Sequence, residues 1–247
     1  MADESAIDRL RIGDITDPGD AAAFMDLSRE VFGMDSADPV FTPRLLLAAG
    51  RNGGAAIGAW LDDEPVGFAL GFCGHADDVG FYHYSQVSAV ARRFQNLGVG
   101  RRLKLAQAEQ ARARGLRRMR WYFDPMRSRN AHFNLNVLGA RVRVVLPNLF
   151  GLEQHGRDKG FASHRLVADW DLSLDARRAD GDAPAEAATV RVPRDWDGYR
   201  ARQGDAAARR LLQNTCSELE TAFAAGLCAV ALRDRDVDWS EYVMVRQ

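Results

Sequence analysis

The segment Val90-Ala91-Arg92-Arg93-Phe94-Gln95-Asn96-Leu97-Gly98-Val99-Gly100-Arg101 constrains this chain more than any other. An apolar run ending at Val90 enters it, and a stretch of helical composition, Arg101 to Arg114, leaves it. A strand that passes through a Gly-x-Gly turn into a helix leaves the first N–H groups of that helix without acceptors, where the helix dipole also favours negative charge. Such a turn suits a phosphate. Gly-x-Gly alone is a weak signal, because glycine also serves in ordinary turns. The setting strengthens it: from Arg92 to Arg129 there are twelve Arg or Lys against two acids, Glu109 and Asp124, in a chain whose net charge is −1. The same residues also admit a plain structural turn under a solvated arginine-rich helix.

The remaining composition sets outer limits. A chain of 247 residues with 47% hydrophobic residues can bury one large core or two small ones. Cys73, Cys216 and Cys228 are widely spaced and lack a Cys-x-x-Cys, so they read as small core residues and not as a disulfide framework or zinc site. Met1-Ala2-Asp3-Glu4-Ser5 has none of the features of a signal peptide, and no apolar run approaches the ~20 residues that cross a bilayer. The expectation is a cytoplasmic protein without a membrane partner. Arginine dominates the cations, Lys104 and Lys159 being the only lysines.

Along the chain, Ile7 to Ile12 reads as a first strand. Asp17-Pro18 opens a helix whose apolar residues Ala21, Phe24, Met25, Leu27, Val31 and Phe32 recur at helical spacing up to Gly33. Pro39 and Pro43 break the next stretch, with a short helix over Arg44 to Ala49. Ala55 to Leu61 and Val66 to Phe72 form an antiparallel hairpin through Asp62-Asp63-Glu64-Pro65, and Gly71 to Asp78 reads as a loop. Phe81 to Val90 is the strand entering the glycine turn. The following helix places Val99, Leu103, Ala106, Gln110 and Ala113 on one face and ends at Gly115. Met119, Trp121 and Phe123 alternate as the buried face of a strand, a second helix spans Arg129 to Val137, and Ala140 to Leu146 alternate again. After the strand Leu166 to Trp170, the polar stretch around Asp175 to Pro184 reads as a linker. Beyond it come a strand at Thr189 to Val192, a helix from Asp205 to Ala225, and strands at Leu227 to Leu232 and Tyr242 to Val245.

Gln95-x-x-Gly98-x-Gly100, after an apolar strand and before a basic helix, resembles the acyl-CoA signature of the GNAT acetyltransferase superfamily, Arg/Gln-x-x-Gly-x-Gly/Ala. Trp121-Tyr122-Phe123-Asp124-Pro125-Met126-Arg127-Ser128-Arg129-Asn130-Ala131-His132-Phe133-Asn134, then Leu138-Gly139-Ala140, is similar to a branch of predicted GNAT acyltransferases. The likeness spans Phe81 to Trp170. It implies an α/β (α+β) fold, with a mixed, mostly antiparallel central sheet flanked by helices and a C-terminal αβ extension. The domains expected are 1–172 for acyl-CoA binding, 173–184 as linker and 185–247 as the extension.

The resemblance also implies a co-substrate, acetyl-CoA or another acyl-CoA. The amides of Gln95, Asn96, Leu97, Gly98, Val99 and Gly100 would cradle its pyrophosphate, with Arg92, Arg93, Arg101 and Arg102 as the nearby cations, while Ser88, Ala89 and Val90 pair with the pantetheine arm. Asn96 stands where the family habitually has glycine. Asn130 and Ser128 begin the helix that flanks the arm, and both also read as ordinary N-caps. Many family members carry an acid Tyr four residues before the glycine that ends this helix; here that residue is Leu135. Substitutes nearby are His132, Asn134, Asn136, Tyr82, His83 and Tyr84. His83 is favoured as a base because imidazole titrates near neutral pH, and Asp124 orients an amine or caps the next helix. Arg127 and Arg129 offer partners for a carboxylate, as in a succinyl group or an amino acid.

The expected function is acyl-CoA-dependent N-acyl transfer to a small amine or amino-acid-like acceptor by direct attack, without a metal. The alternatives are a non-catalytic acyl-CoA sensor and a basic nucleic-acid-binding module. Nucleic acid is disfavoured, because Trp121 and Phe123 lie on a presumed buried face and the rest of the chain is acidic. A homodimer is left open.

Overall fold

A computed structural model describes residues 9–33, 41–153, 158–173 and 185–246. The acidic N-terminus, Pro39, and residues 174–184 of the expected linker lie outside the described residues. The chain divides into two compact units, one drawn from Met1–Met119 and the other from Arg120–Gln154 and Asp158–Gln247. The compact division therefore falls after Met119, and residues 185–246 share a unit with the strands that follow it.

The first unit holds β1 (Leu10–Asp14), α1 (Pro18–Phe32), α2 (Pro43–Arg51), β2 (Ala55–Leu61), β3 (Glu64–Ala76), β4 (Gly80–Val90) and α3 (Val99–Ala113). The Asp17 carboxylate accepts the Gly19 and Asp20 amides at 2.7 and 3.1 Å, Pro18 occupies the first turn, and left-handed Gly33 ends the helix. Thr42 caps α2 through the Leu45 amide at 3.1 Å. These local signals fix both helices. Strands β1-β2-β3-β4 lie side by side, each pair antiparallel. Asp62, at φ 53, makes the two-residue turn between β2 and β3, a conformation that Asp tolerates better than most residues. Phe24 meets Trp60 at 5.3 Å and Phe68 at 5.7 Å between ring centroids, which centres the core.

Two expectations need correction here. Gly71 to Asp78 is not a loop: β3 continues to Ala76, with Cys73 opposite His83 and His75 opposite Phe81. The apolar pattern fades because β2 reaches only to Ala55, opposite Gly71, so the ribbon beyond leaves Phe72, Cys73 and Phe81 exposed. Cys73 is thus not a core residue, whereas Cys216 and Cys228 are. The second correction concerns the face of α3. Val99 and Leu103 are buried as expected, but their buried companions are Lys104, Gln107, Ala108 and Ala111, while Ala113 is exposed. Between Leu70–Val87 and Gly71–Ser85 the register slips by one, which leaves Gln86 as an extra residue in β4.

In the second unit, β5 (Arg118–Phe123) leads to α4 (Ser128–His132), β6 (Arg141–Leu146), β7 (Arg165–Asp171), β8 (Glu186–Pro193), α5 (Trp196–Ala224), β9 (Leu227–Asp234) and β10 (Trp239–Arg246). Its strands run in the order β5-β7-β6-β9-β10-β8, with β6 antiparallel to β7 and β9, and β10 antiparallel to β9 and β8. Met119, Trp121 and Phe123 are buried as the alternation predicts. The second helix, expected as a plain α-helix, widens to a π-turn over Phe133–Val137, where the Leu138 amide reaches Phe133 O at 3.0 Å. Helix α5 begins nine residues before the expected Asp205, because Asp195 caps it and Gly204, at φ 78, joins two helical segments across a kink.

Replacing Asp17 by Ala should remove the α1 cap at a cost of ~1 kcal/mol, with Ser at the same place recovering most of it. Urea unfolding followed by tryptophan fluorescence measures both; an Ala variant as stable as the parent would contradict the capping.

Candidate active site

The end of β4 and the start of α3 form one continuous piece of local geometry. Ala91 extends the pairing of β4 by donating to Val66 O at 2.9 Å, and a single tight turn over Arg92–Phe94 buries the Phe94 ring. Gln95 braces the turn: its amide donates to Arg92 O at 3.4 Å and its side chain to Val90 O at 3.0 Å. Asn96 then takes φ 68 and Gly98 φ 82. Asn is among the few non-glycine residues that enter this left-handed region readily, which accounts for it at a place the family gives to glycine. A side chain at Gly98 would be strained by its backbone, although nothing lies within 4 Å of where a Cβ would stand.

Gly98 is the residue from which α3 departs, its carbonyl accepting the Arg102 amide at 3.0 Å, and no side chain caps the helix. The amides of Val99, Gly100 and Arg101 have no intrahelical acceptor by the geometry of an α-helix. Asn96, Gly98 and Arg101 are exposed, as are Arg92, Arg93 and Arg102. Arg93 pairs with Glu64. Ser88 and Val90 are partly buried and Ala89 is buried, as befits a strand whose contribution comes from its backbone.

Beneath this turn the first unit contains polar groups that apolar periodicity does not reveal. Lys104 Nζ donates to Ser85 Oγ at 2.8 Å, and Ser85 donates to Gln107 Oε1 at 2.9 Å, all three residues being buried. Burial lowers the Lys104 amine from its ordinary 10.5 to about 7. His83, on the same face of β4 as Ser85, is 1% exposed, and its Nε2 finds no protein partner. That nitrogen packs over Gly71, where an added Cβ would stand 2.3 Å from it. Burial, then the charges of Lys104 and Arg114, push the imidazole down to about 4. The candidate base is therefore an enclosed, neutral imidazole. The signal that could have marked the cluster is residue type: a lysine in an arginine-rich chain, one turn below the glycines.

Asp124, Ser128 and Asn130 lie in the second unit. Asp124 follows β5, and its Oδ1 accepts the Met126 amide at 2.7 Å, turning the chain before α4. Burial raises its carboxyl, with the Met126 amide opposing and Asp158 adding to the rise. Ser128 is not an N-cap: its hydroxyl donates to Pro193 O at 2.5 Å. Asn130 is exposed. Arg127 makes paired contacts with Asp158 at 2.8 Å and Asp197 at 2.9 Å, which commits its guanidinium to the fold. Leu135 is buried in the π-turn, while Asn134 accepts the Trp121 indole N–H at 3.1 Å and Asn136 accepts the Leu232 amide at 2.9 Å. Among the described residues there is no cluster of three His, Cys, Asp or Glu able to hold a metal ion.

Residues 21–133 match the model of the acetyltransferase (GNAT) family. They are a GNAT acetyltransferase domain. No curated protein matches the chain in sequence. Among solved structures, the ribosomal-protein-S18-alanine N-acetyltransferase from Escherichia coli is similar at 13% identity and a TM-score of 0.51, over 70% of this chain and 99% of that one. The Salmonella typhimurium protein yncA with its cofactor acetyl-CoA is similar at 18% identity and 0.52, over 71% and 99%. An N-acetyltransferase from Staphylococcus aureus is similar at 15% and 0.52, over 66% and 98%. At these identities the likeness is one of fold.

The GNAT domain takes in the glycine turn, the Lys104 cluster, Asp124 and Asn130, and stops short of Leu135. In the folded domain Lys104 holds its proton less tightly than in the unfolded chain, so between about pH 7 and 10.5 the unfolded state binds more protons and stability rises with pH. His83 acts in a lower window: its folded value of about 4 lies below the ordinary 6.5, so stability falls as pH drops from 6.5 towards 4. Lys104→Met should flatten the rise of unfolding free energy between pH 7 and 10 and leave the acid limb in place. Urea titrations at several pH values test this; identical slopes for both proteins would show that Lys104 is not held neutral.

Proposed function

We propose that the chain transfers a short acyl group, acetyl foremost, from an acyl-CoA to a small amine or amino-acid-like acceptor by direct attack of the amine on the thioester. The observation that carries this reading is the uncapped start of α3. Behind a left-handed Gly98, the amides of Val99, Gly100 and Arg101 begin a helix that no side chain caps, a suitable place for a diphosphate. Arg92, Arg101 and Arg102 stand exposed on the same turn and would supply the cations that a ribose 3′-phosphate favours. Ser88, Ala89 and Val90 would pair with the pantetheine arm through their backbone.

Coenzyme A supplies the activated acyl carbon; the chain's task is to hold it and to keep the amine neutral. Asp124, in the second unit, keeps one carboxylate oxygen loosely engaged, its Oδ2 lying 3.6 Å from Arg127 Nε. His83 is too well enclosed to meet an acceptor, so proton removal through water is favoured over direct removal by imidazole. Because Arg127 is occupied by Asp158 and Asp197, the case for a carboxylated acyl group weakens and acetyl is the first choice. A second reading, an acyl-CoA sensor without turnover, is favoured by Leu135, an apolar residue at the place where many relatives carry their acid. No helix among the described residues is long and apolar enough to cross a membrane.

Incubation with acetyl-CoA and a panel of amines should release free thiol, detected with a chromogenic disulfide. Binding without thiol release across the panel would favour the sensor. Gly98→Asp places both a side chain and a negative charge at the cradle, and acetyl-CoA affinity should drop at least 100-fold, an order set by ~3 kcal/mol of combined strain and repulsion. Calorimetry on a variant whose circular dichroism matches the parent is the check, and unchanged affinity would place the phosphates elsewhere.

A further inference from the structure

The outer half of β3 has an open edge. β2 stops at Ala55, opposite Gly71, and among the described residues no strand pairs with Phe72–Ala76 on that side. The run Phe72-Cys73-Gly74-His75-Ala76 contains no Lys, Arg, Asp, Glu or Pro, and its pairing with β4 is regular throughout. It therefore lacks the charges, prolines and bulges that ordinarily blunt an edge strand. The edge strand β1 of the same unit is blunted in the usual way, being short and carrying Arg11 and Asp14. Beside the open edge, Phe72 is 44% exposed and Phe81 67%.

Two contacts tell which backbone groups face the open side. A Cβ at Gly54, just before β2, would stand 2.6 Å from Gly71 O, so Gly71 turns its carbonyl toward the β2 side. Ala76 turns its carbonyl the other way, into the hairpin, where it accepts the Val79 amide at 3.2 Å. Neighbouring residues of a strand alternate in direction, so Cys73 and His75 present their N–H and C=O groups to the open edge. A second β3 laid antiparallel against this one, with the two Gly74 residues at the centre, brings Cys73 opposite His75 of the second copy and His75 opposite its Cys73. Both are pairs that exchange both backbone bonds, and the edge is its own complement, as a two-fold axis demands. The side chains agree. On one face Phe72 lies opposite Ala76 of the second copy, and Tyr82, which packs over Gly74, faces its own counterpart. On the other face His75, in contact with Phe81 at 5.0 Å between centroids, gains Cys73. The position facing Gly71 falls to Asp77 of the second copy's turn. That position adjoins the end of β2, where Arg114 donates to Gly54 O at 3.2 Å and Arg51 is exposed. An exposed carboxylate thus meets two cations at either end of the shared edge.

We propose that the protein forms a homodimer in which the outer halves of β3 pair antiparallel across a two-fold axis at Gly74, with Asp77 of each copy set against Arg51 and Arg114 of the other. The two phenyl rings contribute roughly 200 Å² of apolar surface per copy, well below the ~800 Å² per partner of a standard interface. Backbone pairing supplies the specificity, and the dimer dissociates in the micromolar range.

Sedimentation of the full chain from micromolar to millimolar concentration should show monomer passing to dimer. His75→Pro removes an N–H that faces outward and leaves the bonds between β3 and β4 in place, and should raise the dissociation constant at least ~10-fold. His75→Cys sets a thiol opposite Cys73 of the second copy, so mild oxidation should trap a dimer that dithiothreitol releases, and adding Cys73→Ser should abolish the link. A parent that stays monomeric at millimolar concentration would overturn the proposal. Slow hydrogen exchange of the Cys73 and His75 amides in that monomer would show the edge covered by the chain itself. A dimer that His75→Pro leaves unchanged, and that oxidation of His75→Cys does not link, would overturn it as well. Should circular dichroism show His75→Pro unfolded, the link through His75→Cys decides.

Discussion

Three backbone amides without protein acceptors, at the start of one helix, are what the functional account depends on. They exist because the chain turns through left-handed Asn96 and Gly98 before α3 and provides no side chain to cap it. The other two α-helix starts of the first unit are treated differently, with Asp17 and Thr42 capping α1 and α2. Helix starts of the usual kind meet some of their first amides with a capping side chain and leave the rest to water. A helix start left open beside exposed arginines is suited to an external anion.

Holding that opening in place requires α3 to be anchored on its other face. Val99 and Leu103 do this with apolar contact, and Lys104 and Gln107 do it with hydrogen bonds to Ser85, next to the extra residue Gln86 in β4. A polar anchor in a low-dielectric interior is sensitive to charge in a way that apolar contact is not. The second unit shows a different use of charge: Arg127, Asp158, Asp197, Arg200 and Asp205 form one connected network that fixes the loop after β5 to α5. Its arginines belong to structure, although in sequence they resemble the basic run around the glycine turn.

Much of this was legible from residue order. The caps at Asp17 and Gly33, the hairpin of β2 and β3, the strand boundaries of β2 and β5, and the glycine turn all rest on local backbone rules, and the structure follows them. What escaped depended on distant partners. The outer half of β3 lacks an apolar signal because β2 stops at Ala55 and leaves it paired with β4 alone. The buried face of α3 was misjudged because Lys104 and Gln107 count as polar in any periodicity, whatever Ser85 offers them across the fold. Ser128 seemed a cap until its hydroxyl was found on Pro193, and the π-turn at Phe133–Val137 has no compositional mark. His83 was the most attractive base by residue type, but burial, which a sequence does not state, keeps it neutral and enclosed.

The most direct measurement of the central claim is the 15N–1H spectrum of the protein titrated with acetyl-CoA. The account predicts that the amides of Val99, Gly100 and Arg101 shift downfield together and to a greater extent than those of α1 or α2, because they acquire phosphate acceptors. Saturable binding that leaves these three signals in place would contradict it.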